Sequence, residues 1–318
     1  MPKFFIKHIT EYSYSKEVID GSTLIRLHPI NNDYQKVISH TISVTNNHFI
    51  ETFVDFFNNR AGTFMITEPH NKLNINSDIE IETISKIFPE DSEDVSKQWD
   101  KLKSIKHNTE FIDFLKYKTF DGTPDIYELI KTKDFNVLSP YKIVLEFCEF
   151  IYKNFKYIQG VTHVDSKLDH AWQLKAGVCQ DFTNILLQMV RMLGIPAKYV
   201  SGYIICPSDS NTRGDGATHA WIEAYIPFYG WLGIDPTNNA IANEYHVKLA
   251  TGRDYNDCAP VKGVFKGNVE SKMQVIVEVK THKLNEPISF PENPASTTEI
   301  NNSYKRNLEF VQQHQQQQ

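Results

Sequence analysis

A cysteine near the middle of this sequence has the local setting of a catalytic nucleophile. Cys179 follows Ala176-Gly177-Val178 and opens a segment whose apolar residues recur with helical spacing. At the first turn of a helix, unpaired backbone N–H groups and the positive end of the dipole stabilise a thiolate. The same N–H groups can serve as part of an oxyanion hole. A buried structural thiol is the alternative for a lone cysteine.

A histidine and an aspartate further along can complete the chemistry. His219 opens one apolar and β-branched run, and Asp235 closes the next run, with a turn at Pro227-Phe228-Tyr229-Gly230 between them. If the two runs form a hairpin, the start of the first strand lies beside the end of the second. An aspartate there holds one imidazole tautomer while the other ring nitrogen faces a thiol. The pattern predicts a Cys179–His219–Asp235 triad.

The elements that must position these residues fall into an N-terminal β part and a later mixed part. The early segments alternate apolar and polar residues between turn formers, which predicts a β-sandwich-like domain. In the later part helices precede an antiparallel sheet, an order typical of α+β proteins. We divide the chain into a β-domain at 1–87, a charged connecting region at 88–135, a catalytic core with a final strand at 136–283, and a weakly ordered polar tail at 284–318.

The composition excludes several classes of protein. Lys and Arg number 33 against 39 Asp and Glu, a net charge of −6 that argues against binding nucleic acid through its phosphates. No apolar run is long enough for a membrane span, and the N-terminus shows no export signal. The 4 cysteines include no CxxC pair, which disfavours a disulfide framework and a four-cysteine zinc site. We therefore expect a cytoplasmic protein that acts without a membrane.

Several segments together resemble the bacterial transglutaminase-like superfamily, whose members are often labelled cysteine proteases. The similar segments are Gly177-Val178-Cys179-Gln180-Asp181-Phe182, Leu193 to Tyr203, Thr218-His219-Ala220-Trp221, Gly233 to Asn238 and Thr251 to Asp257. The N-terminal β part resembles the domain that usually precedes this core, so the resemblance covers roughly residues 3 to 280. It implies a papain-like α+β fold with Cys179 as nucleophile, His219 as general base and acid, and Asp235 as orienter.

Other residues are weaker candidates. Many relatives carry a histidine where this chain has Asn184, about a turn and a half beyond Cys179, and we interpret the change as a difference in supporting packing. The group His163, Asp165, Asp169 and His170 matches no metal-site spacing, so no metal and no cofactor is predicted. The candidates for the substrate cleft are Gln180, Trp221, Arg253, Asp254 and Tyr255. For Trp221, filling the core is an equal alternative.

These observations predict thiol-dependent acyl transfer or hydrolysis at an amide of a peptide or protein substrate, by way of a thioester. Water as the acceptor makes the enzyme a protease or amidase, and a lysine amine makes it a crosslinking transglutaminase. We favour hydrolysis, because an open cleft always contains water. The alternatives are a catalytically silent peptide-binding module on the same fold, and a metal site built from Cys179, His219 and Asp235.

Overall fold

The computed structural model describes residues 1–162, 166–205, 213, 218–267 and 269–281. The expected tail at 284–318 lies outside these residues. The helices are α1 Val95–Ile105, α2 Thr123–Lys131, α3 Pro140–Asn154, α4 Leu168–Leu174, α5 Cys179–Met192 and α6 Tyr255–Cys258. The strands are β1 Lys3–Ile25, β2 Gln35–Val44, β3 Glu51–Val54, β4 Arg60–Ile66, β5 His70–Thr83, β6 Lys156–Tyr157, β7 Ala176–Gly177, β8 Ala197–Ile204, β9 Thr218–Ile226, β10 Gly230–Asp235, β11 Ala240–Ile241, β12 His246–Gly252, β13 Val261–Lys266 and β14 Ser271–Lys280.

The N-terminal sheet is organised around the long strand β1. The first part of β1 pairs antiparallel with β5 and β14, and its last part pairs with β4 and β13. A register shift between Ser13 and Val18 separates the two parts. β2 then adds to β5, and β3 adds to β4. Alternating residues of β5 point into the core, which is why the period-2 pattern of the sequence predicts this region well.

The last strand corrects one expectation. We counted the strand near 273–279 with the catalytic core, but β14 pairs with β1 along ten residue pairs, from Phe5 opposite Lys280 to Tyr14 opposite Ser271. Its alternation is real, yet a period-2 pattern does not specify which sheet a strand joins. The N-terminal sheet is therefore completed by the C-terminal part of the described chain.

Two helices, α3 and α5, contribute many of the buried apolar side chains of the larger hydrophobic cluster. α3 begins where the sequence predicts, with Ser139 as N-cap accepting a hydrogen bond from Lys142 N and with Pro140 at its first position. α5 begins at Cys179, also as predicted, and packs against α3. Each helix buries a stripe of apolar side chains: Ile143, Val144, Phe147 and Ile151 on α3, and Phe182, Ile185, Leu186, Met189 and Val190 on α5.

The second sheet has the strand order β11-β10-β9-β8-β12 and is antiparallel throughout. On β9, Ala220, Ile222 and Ala224 pack in the cluster that contains α3 and α5, and His219 lies on the opposite side of the strand. The fold is thus α+β, as expected. Among the helices of the described residues, none is both long and apolar enough to cross a membrane.

Side-chain amides of the N-terminal part cover the outer edge of β12. Gln35 donates to Lys248 O at 2.8 Å and accepts from Lys248 N at 2.8 Å. Asn59 does the same for Thr251, with both distances at 2.8 Å. Each amide thus replaces one residue of a neighbouring strand, so the backbone of this edge is partly satisfied without another strand.

Candidate active site

Cys179 stands at the junction between a short strand and a helix. β7 pairs in parallel with β6, and after the extended residue Val178 the chain enters α5 at the half-buried Cys179. Asp181 Oδ2 caps this start, because it accepts hydrogen bonds from Val178 N at 2.8 Å and from Thr162 Oγ1 at 2.6 Å. A Cβ on Gly177 would lie 2.5 Å from the same oxygen, so the cap requires glycine there.

His219 and Asp235 meet across the predicted hairpin of β9 and β10. His219 Nε2 lies 2.8 Å from Asp235 Oδ2, and both side chains are fully buried. Within the described chain, His219 Nδ1 is buried and makes no hydrogen bond of good geometry. Since Asp235 occupies Nε2, Nδ1 is the ring nitrogen that remains for Cys179, whose interaction with the imidazole helps to raise the pKa of His219.

The electrostatics of the pair favour an imidazolium beside a carboxylate. Burial by itself lowers the pKa of His219, but the charge and hydrogen bond of Asp235, together with Cys179, outweigh burial and raise it well above the ordinary value. For Asp235 burial acts to raise the pKa, and the interactions with His219 and His246 overcome it and hold the pKa far below normal. The aspartate therefore stays ionised, and it stabilises a proton on His219.

A second histidine, which the sequence analysis did not single out, also contacts Asp235. His246, the first residue of β12, places Nε2 3.4 Å from Asp235 Oδ2. Asn238 Nδ2 donates to the same oxygen at 2.8 Å, and Thr237 N donates to Oδ1 at 2.9 Å. No spacing rule relates His246 to the hairpin, because its position depends on the pairing of β12 with β8.

The possible metal ligands that the structure brings together differ from the set expected from the sequence. Among the described residues, the group that could hold an ion is His219, Asp235 and His246, with ligand atoms within 4.8 Å of one another, and Cys179 does not belong to it. Hydrogen bonds account for this closeness, since Asp235 Oδ2 lies 2.8 Å from His219 Nε2 and 3.4 Å from His246 Nε2. His163 and Asp165 lie outside the described residues.

Trp221 supports the site from within the core. It is only 2% exposed, its ring stacks on His219 with centroids 6.2 Å apart, and it meets His246 edge-on at 5.3 Å. A wall of a substrate cleft must reach solvent, so the structure favours the core alternative for this residue. Gln180 is half-buried beside Cys179 and makes contacts of its own.

The distal candidates are held by ion pairs and packing. Arg253 is exposed and forms a two-pronged pair with Asp257 at 2.8 and 3.1 Å. Asp254 caps α6 and pairs with Lys118 at 2.9 Å, while Tyr255 packs edge-on against Tyr199. Each has a structural role, and a role in the cleft stays a prediction.

Comparisons with known proteins agree with this architecture. Residues 130–236 match the transglutaminase-like superfamily, and residues 4–82 match the bacterial transglutaminase-like N-terminal region. An uncharacterized protein of Mycobacterium leprae is 31% identical over 86% of this chain and 97% of its own. A protein-glutamine gamma-glutamyltransferase of Pseudomonas aeruginosa is 32% identical over 24% of this chain and 12% of its own.

A solved structure shares the fold over nearly the whole length. It is named a "Putative Cysteine Protease" from Cytophaga hutchinsonii, with a TM-score of 0.69 and 24% identity over 92% of this chain and 95% of that one. The match spans both the N-terminal sheet and the helix-on-sheet core. The chain belongs to the transglutaminase-like superfamily and carries the N-terminal region of its bacterial members.

Proposed function

We propose that the protein catalyses acyl transfer or hydrolysis at an amide through a thioester, with Cys179 as nucleophile, His219 as base and acid, and Asp235 as orienter. The observation that carries this proposal is the buried 2.8 Å hydrogen bond between His219 Nε2 and Asp235 Oδ2, next to a half-buried cysteine at a helix start. This bond keeps Nε2 protonated and leaves Nδ1 free to exchange a proton with the thiol of Cys179.

The reaction has two halves. The Cys179 thiolate attacks the carbonyl carbon, a C–S bond forms, and the C–N bond then breaks as the leaving amine takes a proton from His219. In the second half His219 removes a proton from water or from an amine, which attacks the thioester and releases the thiolate. Backbone N–H groups at the start of α5 are suited to stabilise the oxyanion in both halves.

We favour water over an amine as the acceptor, and a peptide or protein as the substrate. A cytoplasmic location, and action without nucleic acid or membrane, are part of the same proposal. The net charge of −6 supports the absence of nucleic-acid binding. Fractionation of cells that make the protein tests the location.

The experiment is to incubate the protein with a library of peptides containing Gln and Lys, with and without a primary amine, and to identify the products by mass. Cleavage adds one water, deamidation exchanges an amide nitrogen for oxygen, and crosslinking loses ammonia. Cys179→Ser is the control, and it should form none of these products. Turnover by the Cys179→Ser variant would contradict the proposal. If the wild-type protein forms no product at all, the silent peptide-binding module is favoured.

A further inference from the structure

The carboxylate of Asp235 receives more donors than an orienter of one histidine needs. Oδ2 accepts from His219 Nε2 and Asn238 Nδ2, each at 2.8 Å, and lies 3.4 Å from His246 Nε2. Oδ1 accepts from Thr237 N at 2.9 Å and Asn238 N at 3.3 Å. Two histidines therefore share one oxygen of one fully buried carboxylate.

His246 is held in place at both ring nitrogens and by an aromatic contact. Its Nδ1 lies 3.3 Å from both the backbone N and the side-chain Oδ1 of Asn243, and Trp221 meets the ring edge-on at 5.3 Å. A carboxylate opposite Nε2 requires a proton on that nitrogen, since a lone pair there would face negative charge. His246 therefore donates from Nε2 to Asp235 in either of its charge states.

The two histidines differ in charge. The pKa of His219 is raised, whereas that of His246 is lowered by burial, with His219 and Lys86 adding to the effect and Asp235 opposing it. At neutral pH Asp235 therefore pairs with one imidazolium, that of His219, and with one neutral imidazole. The neutral ring of His246 can therefore orient the carboxylate of Asp235 by a hydrogen bond, and it does not neutralise the negative charge that stabilises the imidazolium of His219.

We propose that His246 is a positioning residue for the acyl transfer described above: its Nε2–H fixes Asp235 Oδ2, and this keeps the Nδ1 edge of His219 on Cys179. The inference rests on the proposed function. It adds a fourth residue that never touches the substrate and acts only through Asp235.

A matched pair of variants tests the donor. In His246→Gln the amide nitrogen comes near the place of Nε2, and in His246→Asn it comes near the place of Nδ1. We expect His246→Gln to keep kcat within about threefold of wild type. His246→Asn should lower kcat about tenfold or more at little change in KM, the size of one hydrogen bond to a charged group.

The pKa of His219 distinguishes a positioning role of His246 from a purely structural one, because a purely structural role would leave this pKa unchanged. Loss of a neutral donor leaves the carboxylate more basic, so in His246→Asn the pKa of His219 should rise and the alkaline limb of the rate profile should move to higher pH. His246→Gln should leave both in place. NMR of the imidazole nitrogens measures this in folded protein whether or not it turns over.

The outcomes separate this inference from the proposed function. If turnover requires Cys179 but His246→Asn changes neither kcat nor the His219 titration, the positioning role is wrong and the triad stands. If Cys179 proves dispensable, the proposed function fails while the titration still tests the contact. If both variants lose activity equally, a donor at the place of Nε2 is not what His246 contributes, and the inference is overturned. If EDTA or Zn²⁺ alters the wild-type rate but not that of His246→Gln, His246 acts as a metal ligand, and the inference is overturned as well.

Discussion

The side-chain amide of Asn59 pairs with both backbone polar groups of Thr251, donating to its carbonyl oxygen and accepting from its N–H at 2.8 Å each. Asn59 is fully buried, and it joins the N-terminal sheet to the edge of the sheet that carries His219. This edge strand, β12, also begins with His246. The N-terminal part thus supports the strand whose first residue contacts Asp235.

Replacing Asn59 with Ala should destabilise the protein. Two buried backbone groups of Thr251 lose their partner, and each such loss costs about 1–3 kcal/mol, so the free energy of unfolding should fall by roughly 2–6 kcal/mol. Urea denaturation measures the change. Asn154→Ala, at an exposed helix end, is the control and should cost less than about 1 kcal/mol. Equal effects of the two variants would contradict the bridging role.

Replacing Asp235 with Asn should lower the rate about a hundredfold or more, because the imidazole loses the charge that stabilises its proton. The charge of Asp235 helps to raise the pKa of His219, so its loss should move the alkaline limb of the rate profile to lower pH. This direction is opposite to the one expected for His246→Asn. Asp100→Asn, at an exposed ion pair, should leave the rate and the profile unchanged. An unchanged profile in Asp235→Asn would make the carboxylate a turn-forming residue only.

A small electrophile should label Cys179 faster than Cys148 or Cys258. Burial raises the pKa of both Cys148 and Cys258, whereas Cys179 is half-buried at the first turn of a helix. Brief exposure to iodoacetamide at neutral pH, followed by peptide mapping of the three sites, should show a preference of about tenfold or more. If Cys148 and Cys258 are labelled in the folded protein as fast as Cys179, the assignment of Cys179 as the nucleophile loses this support.

His8 should make the protein less stable in mild acid. It is buried between Tyr203 and Thr10, and burial lowers its pKa to about 4. Between the ordinary value near 6.5 and about 4 the unfolded chain binds a proton that the folded chain does not, so stability falls as the pH falls.

His8→Gln tests this assignment. From pH 7 to pH 5 the wild-type protein should lose about 2 kcal/mol of unfolding free energy through this residue, and the variant should lose correspondingly less. Urea denaturation at the two pH values gives the difference. His107→Gln, at an exposed histidine, should keep the wild-type slope, and a variant of His8 that also keeps it would refute the assignment.

The sequence allows the local parts of this arrangement to be predicted, and not the distant ones. The N-cap at Ser139, the start of α5 at Cys179 and the meeting of His219 with Asp235 depend on neighbours in the chain, and the pattern indicates them. His246 reaches Asp235 only because β12 pairs with β8, and nothing local specifies that pairing. Alternation on β9 likewise gives the side of the strand on which Trp221 lies, but not that other elements bury it.

The pairing of β1 with β14 has a consequence for synthesis on the ribosome. One edge of β1 pairs with β14, so residue 5 remains unpaired on that side until residue 280 has been synthesised. The helices α3 and α5 and the strands β8 to β12 pair with elements that are synthesised at about the same time. Contacts so distant in sequence form late, because closing a long loop costs entropy first. Until β14 emerges, β1 exposes a row of unpaired backbone groups that invites pairing with another chain. Nascent chains that stall before residue 271 should therefore be prone to aggregation and dependent on chaperones, even though the elements that carry Cys179, His219 and Asp235 are already synthesised.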